Sequence, residues 1–134
     1  MPAIKINGKD HSYEEDQVVE FAEGLIGLPR LRRAALIESD EYAPFCWLAS
    51  LDDEDIRFVV IDPTEIFSDY RTETDNNSAE EKRSLWAIVK ISSDWQKTTV
   101  NLRAPIFIDE KTKCGAQVIL TGSDYKLEET LPLN

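Results

Sequence analysis

Short apolar clusters separated by polar turn signals run along the whole chain. The clusters are rich in Val, Ile, Leu, Phe and Trp, and no long stretch keeps the 3.6-residue period of an amphipathic helix. Turn signals recur about every 8–12 residues, which is typical of antiparallel sandwiches and barrels. The sequence therefore predicts about eight to ten short strands. The segments predicted as strands are residues 4–6, 12–15, 17–21, 34–37, 45–51, 56–61, 85–91, 98–102, 106–109 and 117–120.

Turn chemistry indicates two hairpins. Asn7-Gly8 follows the first strand, and this dipeptide accepts the positive φ angles of a type I′ hairpin turn. The second hairpin joins residues 45–51 to residues 56–61 through a loop of four consecutive acidic residues, 52–55, which we call the acidic loop. Both flanking segments are strongly apolar, so this hairpin is the best defined local structure in the sequence.

Three other segments read as connections. Residues 24–29 carry two glycines and a proline and form a turn-rich connector, and residues 111–115 form a turn. Residues 71–84 are the most polar stretch and predict an excursion over the surface. Ser78 and Glu81 within it match a capping box, so this stretch is either one short helix or a frayed loop.

The length of 134 residues fits one domain, 1–134, because typical domains hold roughly 100–150 residues. A barrel removes the exposed strand edges that invite aggregation. We therefore predict a mainly β fold: a small, antiparallel, partly open β-barrel with at most one short helix.

The charge balance limits the classes of partner. Fifteen Lys and Arg face 26 Asp and Glu, giving a net charge of −11. Such a field repels nucleic-acid phosphates and anionic membranes, so neither is an expected partner. A basic protein would be attracted and oriented. The alternative is that the charge serves solubility alone.

The two cysteines, Cys46 and Cys114, both lie in apolar segments far apart in the sequence. They predict buried free thiols and a cytoplasmic protein rather than a disulfide framework or a metal pair. The sequence shows no signal peptide and no apolar run near the ~20 residues that span a bilayer.

Residues that carry catalytic chemistry are scarce. His11 is the only histidine, and nucleophilic or zinc catalysis generally needs histidine partners. Gly24 and Gly27 are too isolated to cradle a phosphate, and the acidic loop lacks the alternation and glycine of a calcium loop. We therefore predict no catalytic residue, metal or cofactor. Acid–base catalysis by a pair of carboxylates would require the fold to bring two of them together. The candidates are Asp62, Asp69 and Asp109.

The aromatic residues divide by their surroundings. Four lie in predicted strands and are expected in the core, namely Phe45, Trp47, Phe58 and Trp86. Three lie in loop-like surroundings, namely Phe67, Tyr70 and Trp95, and one of these is a candidate exposed anchor of the kind that interfaces favour.

Three groups of segments, taken together, resemble the FliW family of flagellar assembly factors. The resemblance covers essentially the whole chain and departs at residues 28–30 (LPR), where the family usually has an aromatic and an acidic residue, and at the shorter stretch 71–84. The matching segments are 21–28 (FAEGLIGL); 44–50 (PFCWLAS), 58–63 (FVVIDP) and Asp69-Tyr70; and 99–108 (TVNLRAPIFI) with 115–120 (GAQVIL).

The resemblance implies a regulator that binds flagellin and also binds CsrA, a small RNA-binding protein that represses flagellin translation. Export of flagellin frees the factor, which then captures CsrA and lifts repression. The family motifs do not identify the contact residues. As candidates chosen on charge and position we name Asp52, Asp53, Glu54, Asp55, Asp69 and Tyr70.

Two other functions remain open from the sequence. An eight-stranded barrel can hold one small ligand, so the chain is alternatively a small-molecule-binding protein or a hydrolase with an acidic site. A structural subunit of a larger complex is a third alternative, and the charge of −11 argues against it.

Overall fold

The structure is a computed structural model that describes residues 3–6, 8–38, 41, 43–53, 55–70, 83–121 and 124–131. Within these ranges there are eleven strands, one four-residue α-helix and two 3-10 turns. The elements are β1 (Ala3–Ile6), β2 (Lys9–Ser12), β3 (Val18–Phe21), β4 (Arg33–Glu38), β5 (Cys46–Ser50), β6 (Arg57–Ile61), α1 (Pro63–Ile66), β7 (Arg83–Lys90), β8 (Thr99–Val100), β9 (Ile106–Asp109), β10 (Cys114–Gln117) and β11 (Glu129–Thr130), with the 3-10 turns at Glu15–Gln17 and Trp95–Lys97.

Seven strands form a closed ring. The pairing runs β3–β4–β5–β6–β7–β9–β10 and returns to β3. The eight-residue strand β7 makes closure possible, because its first half pairs with β9 and its second half pairs with β6 and β8. The mainly β barrel predicted from the sequence is confirmed, but the ring is closed rather than partly open.

The last pairing of the ring is parallel, whereas its other pairings are antiparallel. Cys114 and Gly115 of β10 lie beside Glu20 and Phe21 of β3. A Cβ atom on Gly115 would come within 2.6 Å of the Phe21 ring and 2.9 Å of Val19. The absence of a side chain therefore lets β10 approach the core closely enough to complete the barrel.

Apolar side chains fill the barrel. Ten buried residues pack into one cluster, which we call the barrel core and which includes Phe21, Leu48, Val60 and Ile106. Eight come from five of the ring strands, and the other two are Leu25 of the connector and Leu31 after it. A second cluster lies between β7, β8 and the segment after α1, and a third joins β1 to the outer face of β4 and β5. Because β5 is covered on both faces, its sequence is a continuous apolar run.

Four strand positions differ from the predictions. β8 covers only Thr99–Val100 of the predicted 98–102. β2 starts directly after Gly8 (φ 82°) and ends at Ser12, where the prediction begins, because Lys9 already pairs with Ile6 at the end of β1. β10 starts at Cys114 instead of residue 117, since the turn between the last long strands ends at Lys113. β11 was not predicted, because its two polar residues carry no apolar pattern. The predicted excursion 71–84 lies outside the described residues up to position 82, and its last two residues, Arg83 and Ser84, belong to β7 instead.

The environments of the cysteines and aromatic residues also correct the sequence analysis. Cys46 is buried, as predicted, but Cys114 is exposed because β10 presents it away from the core. Phe45, Trp47, Phe58 and Trp86 are half-buried at the margins of the three clusters rather than at their centres. Within the described ranges, no helix is long and apolar enough to cross a membrane.

Candidate functional site

The described residues of the acidic loop, Asp52, Asp53 and Asp55, are held by hydrogen bonds between β5 and β6. The hydroxyl oxygen of Ser50, which is buried, accepts hydrogen bonds from the backbone N–H groups of Asp52 and Asp53, each at 3.1 Å. The Asp53 carboxylate accepts from the Asp55 N–H at 3.0 Å, and its carbonyl accepts from the Ile56 N–H at 3.1 Å. The carboxylates of Asp52 and Asp55 remain exposed. Glu54 lies outside the described residues.

A groove of about 520 Å³ runs beside this turn, and we call it the loop groove. Leu28, Leu31 and Ile56 supply apolar lining, while Asp52 and Arg30 are exposed at its edge. An apolar centre with a charged rim is the anatomy of protein–protein interfaces. The loop groove is therefore a better candidate for polypeptide recognition than for a reaction centre.

The other two candidate contact residues lie away from the acidic loop. Asp69 is exposed in the segment after α1, at the opposite end of β6, so roughly 15 Å of strand separates it from the loop. Tyr70 is buried, with 2 % of its surface exposed. Its hydroxyl donates to the Leu102 carbonyl at 2.6 Å, and its ring packs 4.5 Å from that of Tyr125. A partner docking on this face would reach Asp69 and not the Tyr70 side chain.

The sequence analysis missed an acidic groove around Cys46. Glu38, Asp62 and Glu65 converge there from β4, the start of α1 and α1 itself, around a space of about 520 Å³ that Phe45 and Trp86 also line. No local pattern signals this convergence, because Glu38 on β4 is more than twenty positions away from Asp62 and Glu65 at α1.

The chemistry of that groove does not favour a nucleophile. Burial, reinforced by repulsion from Glu38 and Glu65, raises the pKa of the Cys46 thiol to about 11, so it stays protonated at neutral pH. The Asp62 carboxylate accepts hydrogen bonds from the Thr64 N–H and hydroxyl and so caps α1. Among the described residues, no group of three or more His, Cys, Asp and Glu could hold a metal ion.

The surroundings of Asp109 and His11, the remaining candidates for catalytic chemistry, indicate structural roles. The Asp109 carboxylate accepts from the backbone N–H groups of Thr112 (3.0 Å) and Lys111 (2.8 Å), which hold its pKa below the ordinary value. It thereby fixes the turn that leads into β10. His11 is half-buried in β2 opposite Ile4. Asp62, Asp69 and Asp109 are not brought together as an acid–base pair by any contact among the described residues.

Trp95 is the exposed member of the three aromatic residues in loop-like surroundings, and its role as an anchor stays a prediction. Trp95 is 47 % exposed, and its ring meets that of Phe45 edge-on at 6.1 Å. Ile91 beside it is also exposed. Of the three loop aromatics, Trp95 is the one available to a partner, since Tyr70 is buried and Phe67 is half-buried.

Comparison with known proteins identifies one family. The model of the FliW protein family matches residues 6–131. The flagellar assembly factor FliW of Natranaerobius thermophilus is 34 % identical over 125 residues, covering 87 % of this chain and 83 % of that protein. The factor of Clostridium beijerinckii is 33 % identical over 134 residues, covering 95 % and 94 %. A crystal structure of a flagellar assembly factor FliW superposes with a TM-score of 0.86 at 27 % identity and covers 99 % of each chain.

Proposed function

The chain belongs to the FliW family of flagellar assembly factors, and we propose that it is a protein-binding regulator that binds flagellin and antagonises the translational repressor CsrA by partner switching. In this proposal the two partners compete for the protein in the cytoplasm. Flagellin occupies it until export removes flagellin, and the freed protein then captures CsrA. No catalytic step is part of the proposal.

The observation that supports this function best is the exposure of Asp52, Asp53 and Asp55, held by hydrogen bonds beside an apolar groove. An RNA-binding repressor needs basic surface to meet phosphates, and a chain with a net charge of −11 would attract it. The hydrogen bonds to Ser50 hold the turn before any partner arrives, so little ordering entropy is lost on binding. We therefore assign the CsrA contact to the acidic loop and the loop groove.

The proposed contact residues have unequal roles. Asp52, Asp53, Glu54 and Asp55 supply the electrostatic contact. Asp69 belongs to a separate patch beyond β6 and acts as an outlying contact. Tyr70 supports that patch from inside through its hydrogen bond to Leu102, rather than by touching a partner.

Charge reversal of the acidic loop tests the assignment. The four loop acids are changed to lysine, and the affinity for CsrA is measured by titration calorimetry from about 50 to 500 mM salt. We expect the unchanged chain to lose affinity steeply with salt, and the reversed chain to bind at least about tenfold more weakly at low salt with a flatter salt dependence. Thermal melting of each variant verifies that it is folded.

A matched control carries the same change in net charge at a distance from the acidic loop. If the loop variant keeps both the affinity and the salt dependence of the unchanged chain, the acidic loop is not the contact. If loop and control variants weaken binding equally, only the overall charge matters and the assignment is wrong. The control replaces four exposed acids by lysine, namely Glu15, Asp16, Glu110 and Asp124.

A further inference from the structure

An open groove of about 500 Å³ lies on the other side of the connector from the acidic loop, and we call it the connector groove. Its lining is mostly apolar. It comes from the connector, β6, β7, the segment between β8 and β9, β10 with the residues after it, and the segment before β11. The apolar residues that matter for the argument are Leu25, Ile26, Leu28, Phe58, Ile119 and Leu127.

A tight turn holds one wall of this groove in place. Leu25 and Leu28 exchange backbone hydrogen bonds of 3.0 and 2.8 Å, which leaves Ile26 and Gly27 at the tip. The side-chain oxygen of Gln117 accepts from the Ile26 N–H at 2.9 Å, and its NH₂ group donates to the Ala104 carbonyl at 3.1 Å. The wall is thus tied to the barrel and presents the Ile26 side chain outward.

Large aliphatic side chains are exposed around the rim. Ile26, Ile119 and Leu127 are each at least half exposed, at 52 %, 50 % and 58 %. They make up half of the six large apolar residues that are exposed in the described part of the chain. Exposed apolar side chains clustered at one place indicate an interaction surface, whereas scattered ones do not.

Among the described polar side chains of the connector groove, all but one cation are hydrogen-bonded within the fold. Gln117 uses both ends of its amide within the fold, and the Asn101 oxygen accepts from the N–H groups of Arg103 and Ala104. Arg103 is exposed, and in the described ranges its guanidinium has neither an ion pair nor a hydrogen bond. It is the one charged residue among the described residues that line the groove, in a chain whose net charge is −11.

The exposed rim and the single cation indicate what kind of molecule the connector groove binds. A small molecule inside the groove would leave the rim residues in water, whereas a helix laid along it would cover them with side chains spaced i, i+3 or i+4, and i+7. The lone guanidinium favours a carboxylate on the occupant, since charge complementarity fixes register and excludes basic segments.

We infer that the connector groove docks an acidic amphipathic helix of another polypeptide, with apolar side chains against Ile26, Ile119 and Leu127 and a carboxylate on Arg103. The inference needs neither flagellin nor CsrA as the identity of that polypeptide. Leu28 lines both the connector groove and the loop groove, so the two surfaces adjoin across one side chain. The chain then has neighbouring surfaces of opposite charge preference.

Selection from a displayed library tests this inference. A library of helical peptides with randomised surface positions is panned against the intact chain and, in parallel, against its Arg103→Glu variant. We expect binders of the unchanged chain to carry apolar residues at helical spacing together with Asp or Glu. The Arg103→Glu variant is expected to select Lys or Arg at the same position. The double variant Ile119→Asp with Leu127→Asp should weaken the selected peptides at least about tenfold.

Matched variants separate the groove from general charge and hydrophobicity. Lys97→Glu removes an exposed cation outside the groove, and Ile91→Asp removes an exposed aliphatic residue outside it; both are expected to leave peptide affinity and charge preference unchanged. The inference is overturned if no binder emerges, if binders are basic, or if Arg103→Glu leaves the charge preference as it was. It is also overturned if sedimentation shows a dimer of this chain that Ile119→Asp dissociates, because the occupant is then a second copy.

Discussion

Aliphatic side chains occupy opposite environments in the barrel core and in the connector groove. Leu48, Val60 and Ile106 lie in regular strands of the closed ring and are almost completely buried. Ile26, Ile119 and Leu127 lie in segments outside the strands and are half exposed or more. Residue type therefore does not decide burial here. Burial depends on whether a segment is a strand of the closed ring, because the ring packs those side chains against the strands opposite.

Truncation of one residue from each region should give the largest contrast. Leu48→Ala removes a fully buried side chain and leaves a cavity, so we expect the free energy of unfolding to fall by about 2–5 kcal/mol. Leu127→Ala should change it by no more than about 0.5 kcal/mol. Urea denaturation of both variants measures the contrast. Equal losses would show that Leu127 is part of the packed core and not of a free surface.

The connector is closely packed at one of its two glycines, although it lies at the surface. Gly24 has φ 69°, and a Cβ atom there would lie 2.5 Å from the Leu28 carbonyl oxygen. We expect Gly24→Ala to cost about 2–4 kcal/mol, because strain at positive φ and a backbone clash add. Gly27 has φ 81° with no atom within 4 Å of the added Cβ, so Gly27→Ala should cost only about 1–2 kcal/mol. Similar values for both in urea denaturation would contradict the close approach at Gly24.

Tyr70 belongs on the buried side of the comparison. Tyr70→Phe removes the donor to the Leu102 carbonyl while keeping the ring, so we expect a loss of about 1–2 kcal/mol in unfolding free energy. Binding of CsrA should stay the same once both proteins are folded, because the side chain does not reach the surface. Weaker binding with unchanged stability would place Tyr70 in the interface instead.

The two thiols should differ in their rates of chemical modification. This prediction involves the smallest change in the free energy of the protein. The pKa of Cys46 is raised to about 11, so its thiolate is scarce at pH 8, while Cys114 is exposed. We expect a disulfide reagent to modify Cys114 quickly and Cys46 slowly, and Cys114→Ser to remove the fast phase. Two equally fast phases would contradict the burial of Cys46.

The raised pKa also sets a direction for stability against pH. The folded state favours the protonated Cys46 thiol, so its contribution is fully present below the unfolded pKa and is lost as pH rises toward about 11. Cys46→Ala should flatten this alkaline fall in thermal melting temperature. A fall of unchanged steepness would mean that other groups cause it.

Local signals identified much of the fold, and long-range contacts account for what they missed. The hairpin of β5 and β6 was predicted because two apolar runs flank a polar turn, and β9 was predicted at its observed bounds. Closure of the ring rests on pairings of β7 with β9 and of β10 with β3, which leave no local pattern. The position of Cys114 follows from the turn that Asp109 fixes, and a strand of alternating exposure has no continuous apolar run to mark it.

Local signals likewise predicted one part of the candidate site, the acidic loop, and missed the parts that depend on long-range contacts. Four consecutive acids mark the acidic loop in the sequence, and the loop lies where the hairpin places it. The connector groove depends on the hydrogen bond between Gln117 and Ile26, which are 91 positions apart, and on residues from separate segments. The burial of Tyr70 likewise depends on Leu102 and Tyr125, so a surface role looked reasonable from sequence alone.

Partner switching is tested most directly by displacement. Fluorescently labelled CsrA is bound to the full chain, flagellin is added in steps, and the anisotropy of the label is followed. The account expects anisotropy to fall to the value of free CsrA as flagellin saturates the chain. An anisotropy that stays at the bound value while flagellin is demonstrably bound, or flagellin that does not bind at all, would contradict it.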